Sequence, residues 1–186
     1  MDITTVNRMP RAAFVAEFGG IFEHTPWVAA RAYAARPFAD RDALHAALVA
    51  AVQAASHEEQ LTLLRAHPDL AGREAQAGTL TDASVAEQAS AGLDRLSGDE
   101  VAALLRLNAG YRARHGFPFV IAVRRHTKES IFAEFARRLC NDTATELAAA
   151  LGQVYAIAGL RLAARVTADC VEPGGRSGAE PSGTLQ

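Results

Sequence analysis

One stretch of this chain has strand-like composition, Phe117 to Val123 (FPFVIAV), and it stands alone. A lone strand has nothing to pair with and is not stable by itself. Elsewhere alanine is frequent and β-branched runs are scarce, which favours helices. The route to a core is therefore helix on helix, with 117–123 threaded between helices as a buried extended segment. At 186 residues, 49% of them hydrophobic, the chain has enough apolar surface for one domain. We expect an all-α single domain over 1–170 and, in the Gly-, Pro-, Ser- and Glu-rich stretch 171–186, a disordered tail.

Local signals predict about eight helices. Pro10 suits the start of a helix over 10–18, with Gly19-Gly20 as its stop. A short helix follows Pro26 over 27–35. Asp40 caps a helix over 41–54, in which Leu44, Leu48 and Val52 recur at four-residue spacing. A helix over 57–66 is stopped by Pro68, and 68–80 reads as a loop. Thr81 or Asp82 opens a helix to about Leu93. Ser97 and Glu100 form a capping box for 98–114, and Thr127 caps 128–140. Thr143 and Glu146 form a second box for a long helix reaching about residue 168.

A formal net charge of -2 gives no electrostatic case for nucleic acid or for an acidic membrane surface. No apolar run approaches the ~20 residues of a membrane span, and no basic segment precedes an apolar one at the N-terminus. Cys140 and Cys170 lack metal-type spacing and read as free thiols in a reducing cytoplasm. The six histidines form neither H-E-x-x-H nor H-x-H, so no metal site is expected. There is no G-x-S-x-G and no phosphate-cradling glycine loop.

What remains is a set of polar residues in unusual places. His67, in AHPDLAG, closes a helix before Pro68, because a residue preceding proline is pushed out of the α region. At that terminus the helix dipole favours an imidazolium. The plainer reading is a histidine capping the last carbonyls. Ser84, Glu87 and Gln88 fall at i, i+3 and i+4 and share one alanine-flanked helix face. An extended, buried 117–123 segment would carry amides that could hold a carboxylate or a developing oxyanion. Arg161, with apolar Ile157 and Ala158 one turn before it, either snorkels or anchors an acid.

Taken in order, FEHTPWVA (22–29), RPF (36–38), AHPDLAG (66–72), LTDASVAEQASAGLD (80–94), LNAGYRARHGFPFVIAV (107–123) and IAGLRL (157–162) resemble the family of 2-oxo-4-hydroxy-4-carboxy-5-ureidoimidazoline (OHCU) decarboxylases. The resemblance spans nearly the whole domain. It implies an all-helical fold, a site without metal or organic cofactor, and a homodimer acting on a small molecule. It implies that His67 is the catalytic acid and that Glu87 serves catalysis beside it. It further implies that Pro68, Ser84, Val85, Ala86, Glu87, Gln88, Phe119, Val120, Ile121, Ala122, Val123 and Arg161 bind substrate, with Arg165 one turn on as the competitor of Arg161. Glu87 would hold either the His67 ring or the ureido N–H groups. The reaction implied is decarboxylation of OHCU to (S)-allantoin in urate breakdown. A helical binding module without catalysis, and a metal-dependent hydrolase, are the competing readings.

Overall fold

The computed structural model describes residues 1–72, 75 and 77–167. Among these are nine α-helices, three short 3-10 turns and no strand. The helices are α1 (Ile3–Arg8), α2 (Arg11–Phe18), α3 (Trp27–Ala32), α4 (Arg41–Gln53), α5 (His57–Arg65), α6 (Asp82–Ser90), α7 (Gly98–His115), α8 (Lys128–Leu139) and α9 (Thr143–Ala163). The ninth helix, beyond the eight expected, is α1. Asp2 caps it by accepting from the Thr5 amide, and Ile3 and Val6 bury its inner face. The tail expected over 171–186, and Cys170, lie outside the described residues.

Most helix starts follow the local capping chemistry. Asp40 accepts from the Ala43 amide, Thr81 from Ser84 and Thr127 from Ser130. Ser97 and Glu100 close the expected box on α7, and Ser56 and Glu59 close another on α5. Three boundaries differ. The 27–35 helix becomes α3 followed by a 3-10 turn at Tyr33–Ala35. Helix α6 stops at Ser90, because Gly92 takes a left-handed φ of 73° and starts a separate 3-10 turn. In α9 the cap is Asp142, which accepts from the Thr145 amide, and the helix ends at Ala163. Glu146 does not close a capping box with Thr143; it is fully buried and engaged elsewhere.

Helix α9 organises the core. Its buried face runs through Ala150, Leu151, Val154, Ile157, Ala158 and Leu162, and it packs on α4, α5 and α7. Gly116, at a φ of 80°, ends α7 and releases the chain into 117–122, which belongs to no helix or strand and is buried. A 3-10 turn at Val123–Arg125 follows and packs on α6. The end of α5, the inner face of α6, the 119–123 segment and the last turns of α9 thus converge. No described helix is long and apolar enough to cross a membrane.

Candidate functional site

These four elements and the α2–α3 turn enclose a cavity. His67, Ser84, Glu87, Gln88 and Arg161 line its polar side, with Glu23; Pro68, Leu70, Phe119, Val120, Ile121, Val123 and Ile157 line the rest.

Helix α5 ends at Arg65, and Pro68 keeps it from continuing. His67 stays attached to the last turn. Its amide donates to the Leu64 carbonyl at 3.1 Å. Its Nδ1 lies 2.9 Å from the Leu63 carbonyl, which can only accept, so Nδ1 carries the proton. Neutral His67 therefore has its lone pair on Nε2, which is buried without a protein partner. The capping reading of this histidine is realised on Nδ1, while Nε2 lines the cavity side free of protein hydrogen bonds. The expected preference for the cation is reversed. Burial lowers the His67 pKa, and the Leu63 bond and the Glu23 charge recover only part of that.

Ser84, Glu87 and Gln88 are the buried residues of α6, on the face that their spacing defines. Val85 and Ala86 are exposed, and their side chains do not line the cavity. The Gln88 carbonyl oxygen accepts from the Ala71 amide at 2.9 Å, which ties α6 to the turn after His67.

Glu87 makes no hydrogen bond to the His67 ring, one of the two partners considered for it in sequence. Its two oxygens accept from Nε and Nη2 of Arg161, each at 2.8 Å. Arg161 thus anchors an acid, as one reading of its surroundings held, and the acid belongs to the protein. Its remaining N–H groups go to the Ile21 carbonyl at 3.3 Å and to Glu23 at 3.0 and 3.4 Å. Burial alone would lower the Arg161 pKa, but the Glu87 bonds and the Glu23 and Glu87 charges outweigh it and raise it. Arg165 lies outside this cluster and donates to the Glu17 carbonyl.

Glu23 was not singled out in sequence. It is 4% exposed, has a left-handed φ of 50°, and accepts from Ser84 Oγ at 2.5 Å. Burial would raise its pKa, yet the Arg161 charge and the hydrogen bonds from Arg161 and Ser84 bring it below the usual carboxylate value. Its only sequence signal was its place in FEHTPWVA, a polar residue between a glycine pair and a proline.

The 119–123 segment is tied from outside. Arg138 Nη1 donates to the Val120 carbonyl at 2.8 Å and its guanidinium lies 4.5 Å from the Phe119 ring centroid. Arg138 also donates from Nε to Glu146 at 2.8 Å. The Tyr111 hydroxyl and Asn141 Nδ2 donate to the same carboxylate. The Ala122 amide donates to Gln153 Oε1 at 2.9 Å, so it is engaged away from the cavity, which Ala122 does not line. Among the described residues, no three His, Cys, Asp or Glu side chains are grouped as metal ligands would be.

Comparison with known proteins gives one consistent result. A family model described as OHCU decarboxylase matches residues 7–163. A Haloferax volcanii protein described as 2-oxo-4-hydroxy-4-carboxy-5-ureidoimidazoline decarboxylase is 48% identical over 169 residues, covering 91% of this chain and 98% of its own. A Mus musculus protein of the same description is 44% identical over 162 residues, covering 87% of this chain and 91% of its own. A solved structure of (S)-allantoin synthase superposes with a TM-score of 0.70 at 30% identity, covering 89% of this chain and 54% of that longer one.

Proposed function

The chain belongs to the OHCU decarboxylase family, and from that premise we propose that it converts 2-oxo-4-hydroxy-4-carboxy-5-ureidoimidazoline to (S)-allantoin and CO₂. The observation that carries the reading is His67 Nε2, a buried and unpartnered nitrogen of fixed tautomer in a cavity walled by Glu87, Gln88 and Arg161. A buried polar atom without a protein partner calls for one, and a ligand seated in this cavity would supply it.

The chemistry needs no electron sink beyond the substrate. The C–C bond to the carboxylate breaks and CO₂ departs. The electron pair flows into the adjoining ring C=N, whose nitrogen takes a proton. The ureido-bearing carbon is then protonated on one face as the hydroxyl gives up its proton and becomes a carbonyl. Metal and organic cofactors have no step to perform in this scheme. An arriving carboxylate brings negative charge to His67 and favours its protonation. Nε2–H then serves as the proton donor, and its single direction sets the handedness of the product. Glu87, aligned by Arg161, receives ureido N–H groups. Pro68 and the apolar wall of Phe119, Val120, Ile121 and Val123 shape the remainder of the cavity. The exposed free thiol of Cys140 suits a reducing compartment such as the cytoplasm. A homodimer is the expected assembly, and light scattering on the eluted protein checks it.

The test is the build-up of optical activity by circular dichroism, with urate oxidase and hydroxyisourate hydrolase supplying fresh substrate. The substrate also decays to racemic allantoin unaided, so loss of absorbance does not suffice. Wild-type protein should give (S)-allantoin and His67→Asn should not; racemic product from wild type would overturn the assignment. A binding module without catalysis would also yield only racemate, while still gaining thermal stability from allantoin.

A further inference from the structure

The Arg161 guanidinium is fully engaged by the protein itself. Nε and Nη2 hold Glu87, Nη1 holds the Ile21 carbonyl and Glu23 Oε2, and Nη2 also faces Glu23 Oε1 and Ser84 Oγ. No nitrogen is left over for a substrate carboxylate. The acceptors opposite Glu87 come from one short turn, whose left-handed residue is Glu23. A non-glycine residue keeps such a conformation where its surroundings demand it. Here the turn presents both a carbonyl and a carboxylate to one cation, and the same carboxylate receives the Ser84 hydroxyl.

We propose that Glu23 is a positioning residue for the decarboxylation: by occupying the far side of Arg161 and receiving Ser84, it fixes the Glu87 carboxylate beside His67 and makes Arg161 a brace for Glu87 rather than a substrate anchor. This rests on the decarboxylase reading above. With His67 neutral, Glu23, Glu87 and Arg161 sum to one net negative charge, set next to the ring that must acquire a proton. The groups facing His67 are Glu23 from the α2–α3 turn, Glu87 from α6 and Arg161 from α9; His24, Arg65 and Arg112 line the adjoining outer cavity. Glu23 acts on the His67 proton more strongly than Glu87 does.

Two variants separate charge from reach. Glu23→Gln keeps an acceptor for Arg161 and removes the charge. Glu23→Asp keeps the charge and shortens the arm. Both are compared with wild type by kcat and KM in the circular dichroism assay, and by NMR titration of the His67 ring in ligand-free protein. Glu23→Gln should lower kcat by about ten- to hundredfold with a smaller change in KM, and should move the His67 midpoint down. Glu23→Asp should lower kcat while leaving that midpoint near wild type. Wild-type kcat in both variants, or a loss carried wholly by KM, overturns the proposal, as does an unmoved midpoint in Glu23→Gln. If wild type itself forms no optically active product, the decarboxylase reading fails. The ligand-free midpoint then still decides whether Glu23 governs the His67 proton.

Discussion

Arg138 donates from Nη1 to the Val120 carbonyl at 2.8 Å, and through this bond a buried ion pair reaches the cavity wall. The pair is Arg138 with Glu146, whose side chains are 2% and 0% exposed. The arginine meets two needs at once: it neutralises a carboxylate that water cannot reach, and it holds a segment that no regular element supports.

Arg138→Met should therefore destabilise the fold by about 3–5 kcal/mol, because it strands Glu146 without its charge partner. Replacing both partners, Arg138→Met with Glu146→Leu, should recover part of that loss. Urea denaturation of wild type and the two variants measures it. A single-variant cost below about 1 kcal/mol would place the pair among those of no consequence.

His67→Asn should keep the fold and lose about 10²- to 10⁴-fold in the rate of optically active product, the usual contribution of a positioned acid. Far-UV circular dichroism checks the first part and the coupled assay the second. Turnover within a few-fold of wild type would remove His67 from the chemistry.

Stability should fall on acidification, with a sign set by His67. Its folded pKa lies below the ordinary 6.5 because burial disfavours the cation. Between 6.5 and that lower value the unfolded chain binds a proton that the native state does not, so stability rises with pH through this window and levels off above it. Buried His115 acts in the same direction. Urea midpoints between pH 5 and pH 8 should show the slope in wild type, and His67→Asn should reduce it to the part that His115 contributes.

Arg161→Lys tests the brace. An ammonium has no planar fork to match both Glu87 oxygens. This variant should lose both melting temperature and kcat, whereas Arg165→Lys, on the surface near Glu17, should leave both close to wild type. Equal effects at the two positions would argue against the Glu87–Arg161 geometry as the operative one. Chelation before assay should leave the wild-type rate unchanged if the reaction runs without a metal; a rate restored only by added metal would overturn that part of the proposal.

How much of this the chain displays in advance depends on the range of the interaction. Caps at Asp40, Thr81, Ser97 and Thr127 are decided within a few residues and could be read directly. At the start of α9 the sequence reading took Thr143 as the cap, and the structure has Asp142. Asp142 prevailed because Glu146, the other half of the rival box, is drawn inward by Arg138 and Tyr111, a contact that only tertiary packing creates. In the site, the spacing of Ser84, Glu87 and Gln88 announced a common face. That Glu87 meets Arg161 from 74 positions away, and that Glu23 meets the same arginine from 138 away, has no local signature. The terminus argument for a charged His67 failed for a related reason: a helix dipole acts locally, whereas burial is set by everything packed around the ring.

The bond from His67 to Leu63 also bears on how such a site could decay over generations. Many catalytic imidazoles are oriented by a distant carboxylate that one codon change can erase. Here the orienting acceptor is a main-chain carbonyl four residues upstream in the same segment, and every amino acid supplies one. Replacing Leu63 leaves that oxygen in place. Only a change that unwinds the last turn of α5 would release the ring, which leaves this part of the machinery largely sheltered from point mutation.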